Sequence, residues 1–323
     1  MAKSKFVIGI DLGGTKIAAA AVDLTTGVVL GRRVVPTEAH EGPAAVMVRM
    51  AAVVEQVISA TGLERNQVQG LGIGVPGVID PNRGHTLLLP NLATGWRDVP
   101  AGPEMQKLTN LPTRLINDAR AFTLAEANLG AGKGARNVVG ITLGTGIGGG
   151  IALDGHIYLG IDMSAGEIGH MTIDPYGPPC GCGNRGCLEA FASGPAIAAS
   201  GAYAVMRGYT TIIGDLVERD VNKITPDTIM RAAQQGDAVA IEILERSGTY
   251  LGVGVSNLIT VLSPDTIVIG GGVVHLGDWI LGPVRREIAR RCFVTPLERV
   301  RVVPAVLGGD AGIIGAAVWA SQQ

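Results

Sequence analysis

Aromatic residues are scarce in this chain of 323 residues: three Trp, five Tyr and four Phe, 4% of the total. No run of stacking side chains is present on which single-stranded nucleic acid could be read. A basic excess is also missing, because 26 Lys and Arg stand against 28 Asp and Glu, for a formal net charge of −2. Without surplus cations there is no electrostatic basis for neutralising phosphates along DNA or RNA, so nucleic acid is not expected as a partner. Cysteine is rare, at four residues, which is too few for a disulfide framework in a chain this long. Long unbroken apolar runs are absent as well. Residues 137–153 are interrupted by six glycines, and residues 247–264 by Ser247, Thr249, Ser256, Asn257 and Thr260. Both stretches are read as buried core, and no membrane contact is expected. The opening MAKSKFVIGID has an apolar stretch too short for a secretory signal and interrupted by Asp11, so the expected location is cytoplasmic.

Glycine, by contrast, is abundant, with 48 residues clustered at the ends of apolar segments. Apolar residues make up 47% and charged residues 17%, a globular composition able to build a sizeable core. Strands are predicted over 5–10, 17–23 and 28–35, joined by the turns DLGGTK and TTG, so the chain opens with a hairpin and not a strand–turn–helix unit. A helix over 43–61 is predicted to stop at Gly62; a strand at 69–77, a short strand at 114–117 and a helix at 119–129 follow. The pattern then restarts. A strand at 137–144 meets the turn TGIGGG, and Asp154-Gly155 signals a type I′ hairpin. A loop rich in Gly, Pro and Cys covers 160–187, followed by helices near 193–207, 226–235 and 237–262, a strand at 266–269, a helix near 278–291, a strand at 300–305 and a helix at 311–321. The echo of one strand-and-glycine-turn unit in another predicts two α/β domains facing a cleft: 1–118 with about 308–323, and 119–307.

Three glycine turns end predicted strands: Asp11 to Lys16 with Gly13, Gly14 and Thr15; Gly144-Thr145-Gly146 running on to Gly150; and Gly270-Gly271-Gly272. Such turns let successive backbone N–H groups converge on an anionic oxygen. Thr15 and Thr145 add hydroxyls, Lys16 adds charge, and Asp11 could hold Mg²⁺ directly or through water. The strings Gly72–Gly77 and Gly144–Gly149 match a dinucleotide fingerprint by letter but not by context. One contains Pro76 and the other enters a hairpin, whereas that fingerprint opens a helix.

His170 precedes Cys180, Cys182 and Cys187, three thiols within eight residues. Three thiolates and an imidazole make a closed tetrahedral zinc site, structural and not catalytic, with the interleaved glycines bending the chain round the ion. Folding the loop 167–189 on zinc would also pin Glu167 and Glu189.

Taken together, Asp11–Lys16, Asn117-Asp118, Leu143–Gly150, Glu167-x-Gly169-His170 and the string from Cys180 to Glu189 resemble the ROK group (repressors, open reading frames and sugar kinases). The resemblance implies a two-domain actin-like, ribonuclease H-like ATPase fold and ATP-dependent phosphorylation of a hexose 6-hydroxyl, with glucose as substrate. N-acetylglucosamine, N-acetylmannosamine or fructose is the alternative sugar, ADP or polyphosphate the alternative donor, and a sugar-sensing regulator the alternative class. With the first strand near residue 6, no room for an N-terminal DNA-binding module is expected. The resemblance further implies Asp118 as base and Gly77, Asn91, Asn117, Glu167, His170 and Glu189 around the sugar. Asp11, Gly13, Gly14, Thr15, Lys16, Gly144, Thr145 and Gly146 would serve the phosphates and Mg²⁺, Gly271 and Gly272 would border the nucleoside, and a homodimer or homotetramer is implied.

Overall fold

A computed structural model describes residues 6–89, 92 and 95–322. The elements run β1 (Phe6–Leu12), β2 (Lys16–Asp23), β3 (Val29–Pro36), α1 (Pro43–Thr61), β4 (Val68–Val75), β5 (Val78–Asp80), β6 (His85–Leu88), α2 (Ala101–Thr109), β7 (Thr113–Asn117) and α3 (Asp118–Leu129). They continue with β8 (Asn137–Leu143), β9 (Ile147–Leu153), β10 (His156–Ile157), α4 (Glu189–Ala192), α5 (Gly194–Met206), α6 (Pro226–Gln234), α7 (Ala238–Leu262), β11 (Thr266–Gly270), α8 (Asp278–Arg291), β12 (Arg301–Pro304) and α9 (Ala311–Ser321). Two compact units result. The first comprises residues up to Ala135, Gly150–Ala165 and Ala305 onward; the second comprises Arg136–Gly149 and Gly166–Pro304.

One five-stranded sheet of the first unit has the order β3-β2-β1-β4-β7. Its hairpin strands pair antiparallel, while β1, β4 and β7 run parallel, with Ile10 opposite Ile73 and Val75 opposite Asn117. Strands β1 and β4 are buried along nearly their whole length, as parallel strands covered on both faces must be. Helix α9 covers one face. Nearly all of it is buried, in keeping with its unbroken apolar sequence. It approaches so closely that a Cβ at Gly72 would lie 1.8 Å from the Ala316 carbonyl oxygen. The Trp319 indole N–H donates to the Leu115 carbonyl at 2.7 Å, and the Arg114 guanidinium lies 4.1 Å above its ring. Helix α1 is long and apolar enough to cross a membrane by length and composition. Most of its large apolar residues, however, share one face: Val46, Met50, Val53, Val54 and Val57 are buried in the core, while Val48, Glu55 and Gln56 are exposed.

A second five-stranded sheet has the order β10-β9-β8-β11-β12, with β8, β11 and β12 parallel. Asp154 and Gly155 both take positive φ, 49° and 79°, in the β9–β10 turn, as a type I′ hairpin requires. Helix α7 packs along α8 and is buried through Leu244, Leu251, Val255 and Ile259, so the uncharged stretch 247–264 is largely core as far as Ile259, while Thr260, Val261, Leu262 and Ser263 are exposed. The small sheet β5–β6 and helices α2 and α4 were not anticipated, because their segments are short and punctuated by Pro and Gly.

Candidate active site

Parallel strands deliver the loops after their carboxyl ends to one edge of a sheet, the edge where α/β proteins bind ligands. In the first unit those ends carry Asp11 on β1, Gly77 just past β4, and Asn117 at the end of β7. Asn117 caps α3, its side-chain oxygen accepting from the N–H groups of Ala119 and Arg120 at 3.1 and 3.2 Å. Its amide donates to the Gly77 carbonyl at 3.2 Å, so one residue ties two strand ends together. Asp118 follows as the first residue of α3 and accepts from the Ala119 N–H at 2.8 Å.

The Asp118 carboxyl is reachable by solvent, yet protein crowds it closely enough that desolvation pushes its pKa up to about 6. The negative charge of Asp11 adds to the rise, while the Ala119 N–H and Arg120 oppose it. Burial likewise raises Asp11 above the usual carboxylate range, with Lys16 pulling it partly back. A bound cation beside Asp11 would offset that desolvation, so this carboxylate fits the Mg²⁺ role.

The turn between β1 and β2 is closed by a bond from the Gly13 N–H to the Lys16 carbonyl, 2.9 Å. Thr15 and Lys16 are exposed beside the half-buried Gly13 and Gly14. Thr37, fully buried, fastens this turn: its hydroxyl donates to the Gly13 carbonyl at 2.6 Å and its N–H to Thr15 at 2.9 Å. Arg120, also buried, donates through Nε and Nη2 to the Ala165 carbonyl at 3.1 and 2.9 Å. Neither had been singled out in the sequence. A lone Thr after a strand carries no signal, whereas an Arg inside the apolar face of α3 could have been noticed.

In the second unit, single ligand atoms of His170, Cys180, Cys182 and Cys187 all lie within 4.8 Å of one another. His170 Nδ1 stands 3.7 Å from Cys180 Sγ, and Cys182 Sγ stands 3.8 Å from Cys187 Sγ. Sulfur ligands about 2.3 Å from a tetrahedral Zn²⁺ stand about 3.8 Å apart, so these four residues fit that ion. Burial and the neighbouring thiols push Cys187 up to about 12, a cost a divalent cation reverses by drawing the proton off. Glu189, at the start of α4, accepts from the Ile147 N–H at 2.9 Å through Oε2, while Oε1 lies 3.9 Å from Cys180 Sγ. It therefore joins the cysteine loop to the Gly144–Gly146 turn, where Gly144 N–H bonds to the Gly146 carbonyl at 2.9 Å and Thr145 is exposed. Glu167 is exposed in the short helical turn that leads to His170. The Gly271 turn lies against the same strand, with φ of 92° and a would-be Cβ 2.3 Å from the Leu143 carbonyl oxygen; beside Gly272 the space is open. Asn91 falls outside the described residues.

A parallel-stranded unit ending in a poised carboxylate, and a second unit with a thiolate–imidazole cluster beside glycine turns, define the class: proteins of the actin-like ATPase fold. The ROK family profile matches residues 7–323, and the chain belongs to the ROK family. A glucokinase of Halalkalibacterium halodurans is 35% identical, over 99% of this chain and 96% of its own length. The crystal structure of a ROK family glucokinase from Streptomyces griseus, in complex with glucose and AMPPNP, is 34% identical with a TM-score of 0.81, covering 98% of this chain and 100% of that one. The xylose repressor of Bacillus spizizenii is 29% identical, over 97% of this chain and 76% of its own.

Proposed function

We propose that this ROK sugar kinase transfers the γ-phosphoryl group of ATP to the 6-hydroxyl of glucose. The observation that carries the reading is Asp118: a carboxylate at a strand end, solvent-reachable, with its pKa pushed up to about 6. A general base works best with a pKa near the operating pH. Asp118 accepts the 6-hydroxyl proton as that oxygen attacks phosphorus, a contribution of about 10²–10⁴-fold. Asn117, Glu167, His170 and Glu189, with Gly77 and Asn91, orient the sugar through its hydroxyls, and the carboxylates among them make charge-assisted bonds. Gly13, Gly14, Thr15 and Lys16, and Gly144, Thr145 and Gly146, hold the phosphates; Gly271 and Gly272 border the nucleoside. Asp11 would hold Mg²⁺ brought in with ATP, and the ion would supply neutralisation of the phosphate charge. The His170–Cys180–Cys182–Cys187 cluster would hold zinc, whose part is to fix the loop that carries Glu167 and Glu189.

The test is a coupled assay over hexoses and donors. Glucose with ATP is expected to give the highest kcat/KM; preference for an N-acetylhexosamine, fructose, ADP or polyphosphate would overturn that part of the reading. A sugar-responsive DNA-binding role is checked by a mobility-shift assay, in which no shift is expected.

The pH profile gives a second check. Because the Asp118 pKa is raised to about 6, the base is lost to protonation as pH falls through that value. Turnover is expected to drop about tenfold per pH unit below it. A flat profile from pH 7 to about pH 5 would count against Asp118 as the base.

A further inference from the structure

His275 lies three residues beyond Gly272, on the short helical turn that leads to α8. Both of its ring nitrogens are engaged. Nδ1 meets the Gly272 carbonyl oxygen, and Nε2 lies 2.5 Å from Oδ1 of Asp227, in the first turn of α6. A carbonyl and a carboxylate are both acceptors only. A neutral imidazole has one N–H and can satisfy one of them; the two bonds together require both ring protons.

The same patch gathers the parts that border the nucleoside. Val273 N–H bonds to Leu143 at 3.0 Å, and Gly194 N–H at the start of α5 bonds to Gly144 at 2.9 Å. A Cβ at Gly194 would lie 3.6 Å from both Pro226 at the start of α6 and Val273. The cross-link from His275 to Asp227 thus fixes the Gly271–Gly272 turn against the N-terminus of α6, beside open space at Gly272.

We propose that His275, as an imidazolium bridging Gly272 and Asp227, is a positioning residue for the nucleotide. The proposal rests on the reading that the Gly271–Gly272 turn borders the nucleoside. With side-chain exposures of 46% for His275 and 60% for Asp227, the bridge opens readily to water when a ring proton leaves. Other charges on the elements packed here are Arg231 on α6 and, on α8, Asp278 and Arg285, which bond to each other at 2.7 Å, followed along the helix by Arg286, paired with Glu245, and by Glu287, paired with Arg290 and Arg291. In the segment before α6, Lys223 pairs with Asp220 at 3.9 Å. Asp227 is therefore the charge bonded directly to the ring.

The experiment measures binding of a non-hydrolysable ATP analogue and, separately, of glucose, by calorimetry from about pH 5.5 to pH 8. Nucleotide affinity of the wild type is expected to weaken at least about fivefold as pH rises, the low end of ordinary coupling between sites. In Asp227→Asn the side-chain amide can donate to a neutral Nε2, so the bridge no longer needs the second proton. That variant is expected to lose most of the wild-type pH dependence and to keep tight binding at high pH. Titration of the nucleotide's own phosphates is common to both proteins and cancels in their ratio. His275→Gln is expected to bind nucleotide weakly at every pH, with glucose affinity unchanged. If both variants follow the wild-type curve, or if glucose and nucleotide affinities fall together, the proposal is overturned. Because binding is read directly, absence of turnover with every hexose and donor would defeat the proposed function while leaving this test intact.

Discussion

Asp118→Asn is expected to cut turnover at least 10²-fold while glucose affinity stays within a few fold, since the amide keeps the shape and loses the basicity. The loss corresponds to about 3 kcal/mol or more of the activation barrier. The same variant is expected to melt no lower than the wild type. In the native protein, burial penalises the ionised carboxylate, as the rise from 3.8 to about 6 records. The native fold therefore holds this proton more tightly than the unfolded chain does. Asn removes the penalty, so its stability advantage is full above about pH 6 and vanishes toward pH 3.8. Asparagine also remains able to accept the Ala119 N–H at the start of α3. Single-turnover kinetics, glucose titration and thermal melts at two pH values check all three points. Near wild-type turnover in a folded variant would sink the assignment of the base.

Cys182→Ser is expected to abolish zinc retention and to weaken glucose binding on the order of 10–100-fold, the range seen when the support of a metal site is removed. The reason is local. Glu189 sits two residues after Cys187 and reaches back to both Cys180 and the Ile147 N–H. Without an ion, the cysteine loop rests on its hydrogen bonds, among them Cys180 N–H to Asn184 at 2.8 Å and Gly186 N–H to Pro178 at 2.8 Å. Closed zinc sites supply apparent binding free energies of roughly 10–16 kcal/mol in small domains, enough to order such a segment. Metal content by atomic emission, measured beside a glucose titration, decides the matter. Undiminished glucose affinity in metal-free protein would refute the link between the ion and the sugar.

The strands and helices with clean periodicity were legible in the sequence. The opening hairpin was read from apolar runs bounded by DLGGTK and TTG, and α1, α3, α7 and α9 from continuous apolar faces. Asp154-Gly155 was read as a type I′ turn because few residues tolerate its positive φ angles. The cysteine cluster was legible because three thiols in eight residues have one economical explanation, and the fold brings all four ligand atoms together. What stayed hidden depends on contacts between distant segments. Thr37 grips the Gly13 turn from 24 positions away, and His275 meets Asp227 across 48. Glu126, fully buried on α3, accepts from the N–H groups of Val306 and Leu307 at 3.0 and 2.9 Å, a pairing across 180 positions. Neither composition nor local spacing encodes such partners. The roles of the glycine turns also needed more than pattern, because most glycine turns are purely structural.

The interleaving of the first unit has a consequence for biosynthesis. Helix α9 seals the sheet formed by β1, β4 and β7, yet it is made some two hundred residues after β7. During translation that sheet emerges with an apolar face that nothing yet covers, and it must wait while the second unit is made. Chaperones holding nascent chains should therefore engage the first unit longer than the second. A ribosome-stalled chain lacking only residues 311–321 should be protease-sensitive across β1–β7.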